Sequence, residues 1–143
     1  MRINMRTLLP TLALTLAATL SACSSMDKVM SNSLQLTGDQ EVPPVSTAAV
    51  GSGAFTVASD GSVSGSVKTQ GVAGLMAHIH MGAAGKNGPV IVPLTKTADG
   101  VWSVPAGAKL KDDQLAAYKV GGLYVNVHSA EHKGGEIRAQ LKP

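Results

Sequence analysis

From Ser33 onward the chain alternates apolar and polar residues with a period of two, broken at short intervals by Gly, Pro, Asp and Asn. Alternate residues of a strand share a face, so the pattern predicts short strands, each with one side buried. Leu34 and Leu36 begin it. Glu41-Val42-Pro43-Pro44 reads as an extended edge segment, because its two prolines cannot donate to a ladder. Gly51, Gly53, Phe55 and Val57 alternate with small polar residues, and after Asp60-Gly61 the pattern resumes in Val63, Gly65 and Val67. Two alternating runs joined at Asp-Gly predict a β-hairpin, and Asp99-Gly100 before Val101-Trp102-Ser103-Val104 predicts a second.

Residues 77–81, 90–94, 123–128 and 136–141 complete the strand-like runs. Residues 82–89, rich in Gly, form a loop. One helical piece is expected, from Asp112 to Lys119, with Asp112 as N-cap, Leu115, Ala116 and Tyr118 on one side, and Gly121-Gly122 as its stop. The fold class is therefore all-β: an antiparallel Greek-key β-sandwich of seven or eight strands with one short connecting helix.

The first residues follow a different rule. Arg2 and Arg6 precede an apolar stretch, residues 8–20, which is too short and wrongly flanked for a stable membrane span and reads as a targeting segment. It ends Leu20-Ser21-Ala22-Cys23, which resembles a bacterial lipobox and makes Cys23, the chain's single cysteine, the expected lipidation site. The domain organisation expected is a signal peptide over 1–22, a lipidated tether over 23–32 and a folded domain over 33–143. Ser24, where Asp would resemble an inner-membrane retention signal, favours the outer membrane, on its periplasmic or surface face. Removing residues 1–22 takes away two of the 12 basic residues, leaving ten against nine acidic ones. With near-neutral charge and few aromatics (Phe55, Trp102, Tyr118 and Tyr124), a stacking surface for nucleic acid is excluded. No cysteine remains for a disulfide, so the domain depends on its core.

Candidate chemistry gathers in two runs. His78 and His80 sit one residue apart in Ala77-His78-Ile79-His80-Met81 and so point the same way, opposite Ala77, Ile79 and Met81. In Leu123-Tyr124-Val125-Asn126-Val127-His128, the residues Tyr124, Asn126 and His128 share the other face from Leu123, Val125 and Val127. If the strands are neighbours, His128 closes a three-histidine site for Cu or Zn, with its nitrogens converging to within about 4 Å and a fourth position open to water or a small ligand. Met76, Asn126 and His132 are further donors nearby. The competing reading makes these histidines hydrogen-bonded structural residues. His128-Ser129-Ala130-Glu131-His132 spells the H-x-x-E-H of inverted zinc peptidases, but it starts at the end of a β run and stops at Gly134-Gly135, leaving no helix to present it.

The ordered set Leu36-Thr37-Gly38, Glu41-Val42-Pro43-Pro44, Ala77-His78-Ile79-His80, Gly88-Pro89-Val90, Tyr124-Val125-Asn126-Val127-His128 and Gly134-Gly135-Glu136-Ile137-Arg138 resembles the CHRD domain. That module is named after chordin and also occurs alone in exported bacterial proteins. The resemblance spans residues 33–141. It implies an immunoglobulin-like β-rich fold outside the cytoplasm and no established reaction. The family's usual histidines fall on His78, His80 and His128, and Glu41, Glu136 and Arg138 match family positions. An ion pair between Glu136 and Arg138, or strand-edge hydrogen bonds, would give them a structural role. His132-Lys133 stands where the family has Asn-Pro, and Ala139 where Gly is common. A second, architectural resemblance is to Cu/Zn superoxide dismutase, whose dinuclear site needs more histidines than the four present. It implies at most a single ion on a similar scaffold.

These readings combine as a monomeric, envelope-anchored binding module, held to the membrane by N-terminal lipid and carrying one Cu or Zn ion. The alternative is a metal-free structural or adhesive module whose partner is an envelope or matrix protein. A metal-dependent redox enzyme is the least supported.

Overall fold

The computed structural model describes residues 33–143. The signal peptide, Cys23 and the tether lie outside the described residues. Nine strands form in chain order: β1 (Leu34–Thr37), β2 (Val50–Val57), β3 (Val63–Gln70), β4 (Gly74–Met81), β5 (Val90–Pro93), β6 (Thr95–Ala98), β7 (Val101–Ser103), β8 (Leu123–Ser129) and β9 (Ile137–Gln140), with helix α1 (Asp112–Lys119) between β7 and β8. All pairings are antiparallel, and the sheet order is β5-β4-β8-β9-β1-β2-β3-β7-β6. The neighbours β4–β8, β1–β9 and β3–β7 are not consecutive in the chain, as a Greek-key arrangement requires.

Hydrogen bonding runs through one sheet that curls until it nearly closes. Its two edge strands, β5 and β6, are separated in the chain by Leu94 alone, so the edges must lie side by side. Leu94 extends the β4–β5 ladder by one step, its N–H donating to the Ala77 carbonyl at 2.9 Å. Curling buries one face: Leu36, Val67, Ile79, Val125, Val127 and Ile137 are fully inaccessible in a single core fed by every strand except β6.

The antiparallel all-β fold is as expected, with nine strands instead of seven or eight. The additional strand is β6, which buries none of its residues and so lacks the alternation that betrays the others. Both Asp-Gly hairpins form, β2–β3 and β6–β7. Residues 41–44 do not join the sheet as an edge; they follow a 3-10 turn over Gly38–Gln40. Helix α1 keeps its expected bounds, but Lys111 is its N-cap and Asp112 lies inside the first turn, where a carboxylate suits the helix dipole. Leu115, Ala117 and Tyr118 pack on the core, whereas Ala116 faces solvent. Among the described residues no helix is long and apolar enough to cross a membrane.

Candidate metal centre

Strands β4 and β8 pair directly, with His80 opposite Tyr124, His78 opposite Asn126 and Met76 opposite His128. On the core side Ala77 and Ile79 meet Val127 and Val125. The opposite face therefore carries Met76, His78 and His80 beside Tyr124, Asn126 and His128, and on β9 it continues into Arg138, opposite Asn126, and Gln140, opposite Tyr124.

This outer face is not a solvent face, because all seven residues of β8 are buried. Loops cover it, and they attach through backbone carbonyls. His80 Nδ1 donates to the Gly88 carbonyl at 2.9 Å, and His128 Nδ1 donates to that of Lys133 at 2.9 Å. Arg138 donates to the carbonyls of Ala83 (3.3 Å) and Lys86 (2.9 Å), and Asn87 ties the same loop to the Val42 carbonyl at 2.8 Å. A buried polar layer thus lies between sheet and loops, with its groups mostly paired as burial demands.

Within this layer the three imidazoles converge. His78 Nδ1 and His128 Nε2 stand 3.1 Å apart, and one ligand atom from each of His78, His80 and His128 lies within 4.8 Å of the others. Two nitrogens held at about 2.0 Å from one ion stand no more than about 4 Å apart. The set is thus slightly wider than expected, and closes with side-chain shifts on the order of 1 Å.

The hydrogen bonds also settle which nitrogens are free. Carbonyls accept only, so His80 and His128 carry their protons on Nδ1 and turn Nε2 lone pairs inward, the usual arrangement by which an outer partner orients a histidine ligand. His80 Nε2 is buried and has no hydrogen-bond partner among the described residues. Burial pushes the pKa of His78 below the ordinary histidine value, helped by His128 and His80; burial does the same for His80, against the Gly88 carbonyl. Neutral imidazole is the ligating form.

A stack backs the cluster. The Tyr124 ring lies parallel to His80 at 4.7 Å, and the Arg138 guanidinium sits 3.4 Å above the centre of the Tyr124 ring. Glu41 is buried on the same side, with its pKa raised by burial against the pull of Asn126 and Arg138. A cleft of about 420 Å³ opens beside Glu41 and Arg138.

Of the further donors, Asn126 is buried inside the layer, Met76 is half-exposed on the rim, and His132 is not brought into the cluster. His132 closes a tight turn instead, its N–H donating to Ser129 Oγ at 3.1 Å, so the H-x-x-E-H stretch has no helix. Among the described residues no ion pair joins Glu136 to Arg138. Glu136 accepts from Thr47 Oγ1 at 2.8 Å, while Arg138 serves the loop carbonyls. Sequence reasoning missed the Gly88 and Lys133 carbonyls, since a backbone group leaves no residue signature. It also missed the His80–Tyr124–Arg138 stack, for which the shared face of Tyr124 and Asn126 was the available signal.

Fold and site together define a small antiparallel β domain with a histidine cluster roofed by loops. The CHRD domain family matches residues 33–141, and the chain belongs to that family. Comparison with curated proteins and with solved structures gave no match.

Proposed function

We propose that this CHRD protein is an envelope binding module that holds one Cu or Zn ion on His78, His80 and His128, anchored to the membrane by lipid on Cys23. The observation that carries the reading is the buried Nε2 of His80, without a partner among the described residues, beside two further imidazoles. A buried acceptor left unpaired costs about 1–3 kcal/mol, and a bare cation is small enough to lie where water cannot. Membership of the CHRD family supports a binding or structural module without assigning a ligand. The metal-free alternative is supported by the His78–His128 contact, which one proton can bridge.

Titration of the purified protein with Zn(II), Cu(II) and Cu(I) separates the two. The metal reading expects saturable uptake of one ion, abolished in His80→Ala. No saturable uptake, or uptake unchanged in that variant, leaves the interaction module.

A further inference from the structure

Three buried lone-pair groups in the polar layer lack partners among the described residues: His80 Nε2, Asn126 Oδ1 and Glu41 Oε1. Asn126 lies diagonal to His80 across the β4–β8 pair, and its Nδ2 borders, together with Glu41 Oε1, the space that a side chain at Gly135 would occupy. Its orientation follows from what surrounds it. Asn126 Nδ2 donates to the Gly134 carbonyl at 3.4 Å and lies on the side of the Glu41 carboxylate. A carbonyl accepts only, so the amide nitrogen belongs on the side of Gly134 and the oxygen on the side of His80. His80 cannot answer that oxygen with a proton, because its single N–H is already given to Gly88. Two buried acceptors on one face of the β4–β8 pair are therefore left without a proton to share.

Gly135 shows that this fixture is built into the chain. Its φ is 129°, and a side chain there would collide with Glu41 Oε1 and Asn126 Nδ2. Glycine thus leaves the space into which Glu41 Oε1 and Asn126 Nδ2 both project.

We propose that Asn126 Oδ1 is the fourth donor to the ion held by the three histidines, and that Glu41 is the positioning residue that keeps the amide oxygen turned toward it. The inference rests on the three-histidine reading. Asn126 is placed for this role: directly opposite His78, two residues from His128 on the same face, and diagonal to His80. Three imidazoles and one amide oxygen form a closed four-donor set that suits Zn(II) or Cu(II). Cu(I) prefers softer donors, and the nearby thioether, Met76, is half-exposed at the rim. A closed set holds an ion and leaves no position for a substrate, so the centre stores or senses a divalent ion.

The test uses the full protein. Asn126→Ala should weaken Zn(II) and Cu(II) about 10–100-fold, the range for losing a supporting group at a metal site, and should alter the Cu(II) EPR spectrum, with Cu(I) affinity nearly unchanged. Glu41→Gln, whose amide can face either way, should weaken the divalent ions as well. The paired swap Glu41→Gln with Asn126→Asp lets the Gln donate to the new carboxylate and should recover binding lost in Glu41→Gln. Wild-type protein provides a readout independent of variant folding: in isotopically labelled water its Cu(II) EPR lines should not broaden, since no water is coordinated.

Broadening in the wild type, or an Asn126→Ala variant with unchanged affinity and spectrum, overturns the fourth donor. A paired swap no better than Glu41→Gln alone overturns the positioning role of Glu41. Wild-type protein that takes up no ion overturns both this inference and the three-histidine reading. If ion uptake is lost in His80→Ala but unaffected in Asn126→Ala, only the fourth donor falls.

Discussion

The burial of His78 and His80 has a consequence for stability as well as for binding. The folded protein keeps His78 and His80 neutral more strongly than the unfolded chain does, because burial penalises their charged forms. As pH falls, the unfolded chain takes up protons first, near 6.5, and stability drops until the depressed folded values are passed. Glu41 acts in the opposite sense, since its raised pKa makes the folded state the better proton acceptor from 4.5 upward. The metal-free protein should therefore lose unfolding free energy between about pH 7 and 5. His80→Gln, which removes one of the two depressed imidazoles, should show a shallower loss. Urea unfolding across that interval measures both slopes, and equal slopes would remove His80 as a cause.

At the level of elements, the centre depends on a strand packed on both sides. Leu123, Val125 and Val127 announce one buried face of β8 by alternation, and Asp60-Gly61 and Asp99-Gly100 announce the hairpins, because these signals reside in side chains and turn residues. The partnership of β4 and β8, which the histidines required, could be posed from sequence but not settled, since the two strands are far apart in the chain. The second cover over β8 was illegible for a different reason: the loops attach through the carbonyls of Gly88, Lys133 and Gly134, which any residue could supply. Strand β6, exposed throughout, carries no pattern at all. Gly134-Gly135 was visible as a stop, while the reason for Gly135 lies in the Glu41 and Asn126 side chains that crowd it. Gly135→Ala should consequently cost more than the roughly 1–3 kcal/mol of backbone strain alone. Gly107→Ala is the control, because Gly107 also has positive φ, 79°, yet nothing lies near its missing side chain. Equal losses in urea unfolding would mean that crowding at Gly135 is absent.

For the molecule as a whole, the curled sheet leaves β5 and β6 as its edges among the described residues and sets them together, which limits strand-to-strand association. Among the described residues no helix is long and apolar enough to cross a membrane, and the proposed reading places the anchor on lipid at Cys23. Lipid supplies enough: each buried methylene contributes about 0.8 kcal/mol, and two or more acyl chains hold a protein almost permanently where one holds it only marginally. The nine residues between Cys23 and Ser33 in the expected tether are polar apart from Met26, Val29 and Met30, so anchoring and ion binding should be separable. Cys23→Ser should move the protein from the membrane fraction to the soluble extract of the envelope, while its uptake of Zn(II) or Cu(II) per molecule stays at the wild-type value. Unchanged membrane partitioning would remove lipid as the anchor, and a loss of ion uptake on release would mean that the centre depends on the membrane instead of on the β4–β8 pair and its loop cover.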